Sequence, residues 1–155
     1  MFTSLRPSTL DDVSRAIVEQ LQIDGRKSYS DIGRAVDLSE AAVRQRVQKL
    51  IESGVMQIVA ITDPIQMGFN RQAMIGIRTT GDSRVVADAL SKIGAVEYVV
   101  LTAGSFDIMV EVVCTDDGDL LDLLNGTIRK VAGVVETEVF TYLQLKKQQY
   151  NWGTL

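Results

Sequence analysis

The stretch LDDVSRAIVEQLQIDGRKSYSDIGRAVDLSEAAVRQRVQKLIESGVM, residues 10–56, decides the fold of the first part of the chain. Its apolar residues recur at α-helical spacing in three segments, with short polar breaks between them. The predicted helices run from Leu10 to Asp24, from Ser28 to Val36, and from Ser39 to Ser53. Three short helices in this order predict a helix-turn-helix domain, with the third helix entering the major groove of DNA.

Local signals mark the ends of these helices. Ser28 and Asp31 have the spacing of a capping box, and Ser39 is a good N-cap for the third helix. Asp37 occupies the turn before that helix, where a positive φ is expected. Gly54 is expected to end the third helix.

The third predicted helix has an inner and an outer face. Its spacing directs four apolar residues inward: Val43, Val47, Leu50 and Ile51. Arginine can bind guanine, and glutamine can bind adenine, through paired hydrogen bonds. Base contacts are therefore expected from the outer residues Ser39, Ala41, Arg44, Gln45 and Gln48. Phosphate contacts are expected from Arg46 and Lys49, and from Arg26 and Lys27 before the second helix.

The overall charge of the chain argues against DNA binding. The net charge is −4 and the pI is about 4.8, whereas affinity for the duplex comes largely from basic side chains. The acidic excess lies mainly after Asp63, so the basic, amide-rich face of the third helix is a local feature. These side chains could also form an ordinary solvated surface, but the three-helix context favours DNA contact.

Composition narrows the remaining classes of protein. The chain has 155 residues, 46% of them hydrophobic and 23% charged, which is typical of a folded globular protein. It lacks a run of ~18 apolar residues, so we expect a cytoplasmic protein without a membrane partner. Histidine is absent, and the single Cys114 lies in an apolar run, so we expect a buried thiol, no cofactor, no metal and no enzymatic activity. The acidic residues of one cluster, Asp116, Asp117, Asp119 and Asp122, match a helix N-terminus better than a calcium loop.

The second half of the chain alternates strands with helices. The pattern predicts β-α-β-β-α-β, the ferredoxin-like arrangement, and with the helical half it makes an α+β protein. The predicted strands are 72–79, 96–102, 107–114 and 134–145, and the predicted helices are 84–93 and 117–131. Their inner faces are assigned to Val85, Ala89, Leu90 and Ile93, and to Leu120, Leu121, Leu124, Ile128 and Val131. A further strand is expected at 55–62, which closes a winged-helix-like domain at 1–62, before a linker at 63–71 and an αβ sandwich at 72–155.

Residues 10–56 resemble the N-terminal domain of the Lrp/AsnC transcriptional regulators. The matching positions are Leu10-Asp11, Ile17, Leu21-Gln22, Asp24-Gly25-Arg26, Ser28, Leu38-Ser39, Val43, Arg46-Val47, Leu50 and Gly54-Val55. Ser14 stands where the family usually has Asp, and Asp37 where it usually has Gly. The second half is similar to the family's αβ module, which implies dimers and amino-acid binding.

The resemblance also implies an effector pocket. The family loop that often has the sequence GDYD or GDFD corresponds here to Gly104-Ser105-Phe106-Asp107. In that role Gly104 would permit a tight turn and Asp107 would bind an ammonium group, while Ser105 removes one charge. Thr102, Glu136 and Thr137 are carried over as further pocket residues, from a neighbouring subunit. The alternative is a plain hairpin turn with Phe106 in the core.

These patterns lead to one main hypothesis. The chain is expected to be a sequence-specific regulator that binds double-stranded DNA as a homodimer, assembles into higher oligomers, and responds to an amino acid or related metabolite. The alternative is a metabolite-binding sensor whose helical domain contacts other proteins.

Overall fold

The computed structural model describes residues 10–149 and residue 154, in two compact units. The helical unit comprises the described residues up to Ile61 and those from Lys147 onward, and the αβ unit runs from Thr62 to Lys146. None of the helices in these described residues is long and apolar enough to cross a membrane.

The helical unit contains the three predicted helices. They are α1 (Asp12–Ile23), α2 (Tyr29–Val36) and α3 (Glu40–Glu52). Each begins at a side chain that accepts a hydrogen bond from a backbone N–H of the first turn, and these N-caps are Asp11, Ser28 and Ser39. The predicted caps of α2 and α3 are therefore confirmed.

The turn between α2 and α3 depends on two residues. Asp37 has φ 55°, and within the described residues it is the only non-glycine residue with a positive φ, as predicted. Gly33 lies where a Cβ would fall well inside van der Waals contact with the Leu38 carbonyl oxygen. The absence of a side chain at Gly33 thus allows the turn to close.

We expect Gly33→Ala to destabilise the helical unit by about 1 kcal/mol. Helix propensity alone would make alanine ~1 kcal/mol more favourable than glycine, whereas forcing a methyl group against packed backbone costs about 1–3 kcal/mol. Urea unfolding measures the difference. Gly25→Ala is the matched control because its Cβ would lie 3.8 Å from the nearest atom, the Leu21 carbonyl oxygen. A Gly33→Ala protein as stable as the wild type would contradict this role of Gly33.

The core of the helical unit joins all three helices. Its buried members are Ile17, Leu21, Ile32, Val43 and Val47. Leu50 is also buried, but the prediction for Ile51 is wrong because this side chain is 39% exposed. Eight residues of α-helix rotate Ile51 by roughly 80° from Val43, whereas Leu50 deviates by only about 20°.

The predicted strand at 55–62 is also wrong. In the described chain these residues belong to no strand, although Ile58, Val59 and Ile61 have strand-forming side chains that are 45%, 66% and 58% exposed. A strand requires a hydrogen-bonded neighbour, and local composition does not supply one.

The αβ unit has the predicted order of elements. They are β1 (Arg71–Thr79), α4 (Ser83–Leu90), β2 (Val96–Leu101), β3 (Ile108–Cys114), α5 (Asp117–Gly126) and β4 (Val134–Thr141), with 3₁₀ turns at Ile65–Met67 and Ile128–Lys130. The strands form an antiparallel sheet in the order β2-β3-β1-β4. This arrangement confirms the predicted α+β class.

One face of this sheet packs against α4 and α5. Ala73, Ile75 and Ile77 of β1 alternate with residues that point the other way, and they join alternate residues of β3 in the buried core. Cys114 belongs to this core, and burial raises the pKa of its thiol, so the predicted buried cysteine is confirmed.

Two predicted inward positions are wrong in this core. Val85 is 67% exposed while Val86, four residues before Leu90 on the same helix face, is buried. Leu121 is 57% exposed while Leu123 is buried. Leu121 is rotated by about 100° from its buried neighbour Leu120 on α5, and the α-helix assumed up to residue 131 ends at Gly126.

The acidic cluster marks the start of α5, as predicted. Asp116 is the N-cap, and its carboxylate accepts the backbone N–H of Asp119 at 2.9 Å. Asp119 accepts the backbone N–H of Thr115 at 3.0 Å, and Asp117 forms an ion pair with Arg71. The hydrogen bond from Arg71 lowers the pKa of the Asp117 carboxyl. The cluster therefore stabilises a helix end.

Candidate nucleic-acid interface

The outer face of α3 is exposed as the sequence suggested. Exposed side chains extend from its N-cap along the helix at Ser39, Ala41, Arg44, Gln45 and Gln48. Positions 41, 44, 45 and 48 follow the three- and four-residue repeat of the helix, so these side chains form one stripe on its surface. The structure thus places the five candidate base-contacting residues together.

Two of these side chains are held by neighbours within the unit. Arg44 Nη2 donates to Glu40 Oε1 at 2.8 Å, and the Arg44 guanidinium carbon lies 5.3 Å from the centre of the Tyr29 ring. Gln48 Nε2 donates to Glu52 Oε1 at 2.9 Å. Sequence reasoning missed Tyr29, because its proximity to Arg44 depends on how α2 packs against α3.

Arg46 is already engaged inside the helical unit. Its Nη1 atom donates to both carboxylate oxygens of Asp11, at 2.7 and 3.0 Å, and to the Ser14 hydroxyl at 3.0 Å. These bonds connect α3 to the start of α1. The first function that this geometry supports for Arg46 is to fix α3 against α1, and its phosphate contact stays a prediction.

The hydrogen bond from Arg46, together with bonds from Ser14, lowers the pKa of Asp11 to about 2. A carboxyl whose pKa falls on folding stabilises the folded state above its unfolded pKa, near 3.8, and the effect is lost as the pH falls towards 2. We expect Asp11→Asn, which keeps a capping side chain, to be less stable than the wild type at neutral pH. The difference in free energy of unfolding between the two proteins, measured by denaturant titration, should disappear as the pH falls from 3.8 to 2. A difference in unfolding free energy that does not change with pH would contradict a stabilising ion pair between Asp11 and Arg46.

The other predicted phosphate-contacting residues lie on the surface of the same unit. Arg26 and Lys49 are exposed, whereas Lys27 is half-buried and its Nζ atom donates to Gln20 Oε1. Arg26 and Lys27 lie beside Ser28, at the start of α2. Positive charge therefore lies beside the N-terminus of α2 and in the last turn of α3, where Lys49 is located.

The loop between β2 and β3 is closed by its own hydrogen bonds. Thr102 Oγ1 donates to the Phe106 carbonyl at 2.6 Å, and Asp107 Oδ2 accepts the backbone N–H of Thr79 at 2.7 Å. One oxygen of the Asp107 carboxylate, which is predicted to bind an ammonium group, is therefore engaged by Thr79 of β1. Gly104 lacks the positive φ expected of a glycine-dependent turn, and a Cβ there would meet no atom within 4 Å. That rationale for Gly104 is wrong.

Arg78 connects this loop to β4. Its Nε donates to the Ser105 carbonyl at 2.9 Å, and its Nη1 donates to Glu136 Oε2 at 3.0 Å. Its guanidinium carbon also lies 5.6 Å from the centre of the Phe106 ring. Sequence reasoning missed Arg78, and the available signal was a charged residue inside an apolar strand.

Within the chain, Thr137 does not lie on the same side of the sheet as Arg78 and Glu136. It pairs with Ile77 of the buried core, whereas Glu136 pairs with Arg78 on the opposite face of the sheet. The Thr137 hydroxyl instead accepts a hydrogen bond from Arg129 Nε at 2.9 Å. The structure therefore brings together Ser105, Phe106 and Glu136 of the predicted effector residues.

The second face of the sheet carries apolar side chains that no helix of the αβ unit covers. We call it the open face, and its apolar members are Met74, Tyr98, Val100, Met109, Val113 and Phe140. Tyr98 and Phe140 are 51% and 42% exposed. Contiguous exposed apolar patches are a common feature of protein interaction sites.

Two family models match this chain. Residues 10–51 match an AsnC-type helix-turn-helix domain, and residues 69–155 match a C-terminal dimeric alpha+beta barrel domain.

Individual proteins show the same similarity. An uncharacterized HTH-type transcriptional regulator from Pyrococcus abyssi is 33% identical over 96% of this chain and 92% of its own length. The solved leucine response regulatory protein LrpA of Mycobacterium tuberculosis is 30% identical with a TM-score of 0.82, covering 90% of this chain and 96% of that one. A Neisseria meningitidis regulator solved in complex with L-Met has a TM-score of 0.78 at 23% identity, covering 91% of this chain and 94% of that one, so it shares the fold.

Proposed function

This chain belongs to the Lrp/AsnC family of HTH-type transcriptional regulators, and from that premise we propose that α3 selects the DNA sequence it binds. The observation that carries this proposal is the exposed stripe on α3 that holds Arg44, Gln45 and Gln48. Arg44, Gln45 and Gln48 carry the hydrogen-bonding groups that distinguish base edges in the major groove. Lys49, Arg26, Lys27 and Arg46 are the proposed phosphate contacts.

Two copies of the chain are needed for useful affinity. The chain has a net charge of −4, with its acidic excess after Asp63, so a single α3 has little electrostatic support from the rest of the chain. The matching family domain is dimeric, and we propose that two open faces pack against each other to form the dimer. A two-fold dimer would present two α3 helices to half-sites ~34 Å apart.

We propose that residues 55–61 also contribute to the dimer. Their exposed Ile58, Val59 and Ile61 carry strand-forming side chains without a strand neighbour in the described chain. The same segment of a second copy supplies an identical apolar partner at the two-fold axis.

Selection of duplexes from a randomised pool tests the DNA proposal. The expected result is enrichment of a pseudo-palindrome whose half-sites lie about one helical turn apart. A folded dimer that enriches no sequence would contradict it. If that dimer still bound an amino acid, the result would favour the alternative function, a metabolite sensor whose helical unit contacts proteins.

We further propose that an amino acid or related metabolite modulates the oligomeric state or DNA affinity, including assembly beyond the dimer. The Neisseria regulator of the same fold was solved with L-Met. The proposed contacts are with the β2–β3 loop and the start of β4, at Thr102, Gly104, Ser105, Phe106, Asp107, Glu136 and Thr137. The cluster of Arg78, Glu136 and Phe106 supports this location, since it offers a cation, an anion and an aromatic ring.

A thermal-shift screen against the amino acids tests the effector proposal. A ligand that binds only the folded protein stabilises it by about 2.7 kcal/mol at a hundred times its Kd. We expect at least one amino acid to raise the melting temperature, and Glu136→Gln to reduce that shift. A screen in which no amino acid raises the melting temperature would contradict this proposal and leave the DNA proposal standing.

A further inference from the structure

Arg44 is held from two sides before any DNA is present. Glu40 lies one turn earlier on α3 and accepts its hydrogen bond at 2.8 Å. Tyr29, the first residue of α2, lies 5.3 Å away, measured from its ring centre to the guanidinium carbon. The Tyr29 ring is half-buried and packs against the core of the helical unit, so its position is fixed by the fold.

We propose that Tyr29 and Glu40 determine the sequence selectivity of Arg44, Tyr29 as a positioning residue and Glu40 as an internal counter-ion. This inference rests on the proposed role of α3 in DNA recognition. It assigns a function to two residues that are not among the proposed base contacts.

Tyr29 acts by restricting the guanidinium before binding. A long arginine side chain loses rotamer freedom when it is ordered, and an aromatic face beneath it removes part of that loss in advance. The interaction uses the ring and not the hydroxyl group. Phenylalanine is therefore expected to replace tyrosine, whereas leucine keeps the apolar packing and loses the cation–π contact.

Glu40 acts by making Arg44 favour contacts with base edges over contacts with phosphates. Its carboxylate neutralises Arg44 and repels phosphate groups, while the guanine acceptors carry no net charge and are repelled less. Both partners are more than half exposed, at 65% for Arg44 and 54% for Glu40, so the pair is weak enough for a guanine edge to replace it. Arg44 therefore contributes more to discrimination than to general affinity.

Glu40→Gln tests the counter-ion on a scrambled duplex, by fluorescence anisotropy over a range of salt concentrations. Freeing Arg44 for a phosphate should tighten this binding several-fold and steepen the salt slope by about 0.9 per subunit. Glu52→Gln is the matched control, because it removes the same charge from the same helix, next to Gln48 instead of Arg44. Equal effects of the two substitutions on affinity and slope would overturn the role of Glu40.

Tyr29→Leu and Tyr29→Phe test the positioning role on the duplex that the wild type enriches. Leucine should weaken specific binding about 3- to 30-fold with little change on the scrambled duplex, and phenylalanine should restore it. In an Arg44→Ala background the leucine substitution should have no further effect, which separates positioning from damage to the fold. The positioning role would be overturned if Tyr29→Leu still weakened specific binding in the Arg44→Ala background, or if it had no effect in the wild-type background. If the wild type enriches no duplex, the proposed function fails first and this inference with it.

Discussion

Replacing Arg44 and Gln45 together by alanine is expected to abolish sequence discrimination and to leave a residual affinity for any duplex. Each bidentate contact to a base distinguishes it by about 1–3 kcal/mol, and a dimer makes each contact twice. Specific binding should therefore weaken by about 10³-fold or more, whereas binding to a scrambled duplex changes little. Both side chains are exposed on α3, so the protein should stay folded.

Competition between the selected and the scrambled duplex measures this effect at a fixed salt concentration. Lys49→Ala is the matched control, since Lys49 is exposed on the same helix and is assigned to a phosphate. Its loss should weaken binding to both duplexes equally and reduce the salt slope. If the double variant also lost affinity equally for both duplexes, Arg44 and Gln45 would not contact bases.

A lysine in place of Met109 is expected to break the dimer. Met109 lies on β3, one of the two central strands, with Val100 and Gly76 as its neighbours across the open face. In a monomer the lysine remains in water, but in the proposed dimer each copy buries an unpaired charge at a cost of about 3–5 kcal/mol. The dimer dissociation constant should rise by about 10⁴-fold or more.

Sedimentation velocity measures the oligomeric state of this variant. Leu121→Lys is the matched control, because it adds the same charge at a 57% exposed leucine of α5, on the other side of the sheet. The control should remain dimeric, and the Met109 variant should lose specific DNA binding together with dimerisation. A Met109→Lys protein that stays dimeric would place the interface elsewhere.

The features that could be predicted from the sequence are those set by close neighbours in the chain. Ser28 and Ser39 cap helices through bonds that span three residues, so their identity is sufficient to locate the helix starts. The exposed stripe of α3 follows from the helical repeat alone. Both kinds of signal are local, and both agree with the structure.

The features that could not be predicted depend on packing between distant segments. Arg46 bonds to Asp11, 35 residues away, and Arg78 bonds to Glu136, 58 residues away. Val86 faces the core and Val85 does not, because Leu90 fixes the rotation of α4. The two adjacent valines in the sequence do not show which of them lies on the buried face. The segment at 55–62 has the composition of a strand, but strand formation depends on a neighbour outside the segment.

Methylation interference on the selected duplex tests the central claim, that α3 lies in the major groove and contacts base edges there. Dimethyl sulfate modifies guanine at N7 in the major groove and adenine at N3 in the minor groove, and Arg44 is expected to need the unmodified guanine N7. We predict interference at a guanine in each half-site, lost in Arg44→Ala. Binding that is insensitive to every N7 methyl group and blocked only by methylation at adenine N3 would contradict the claim.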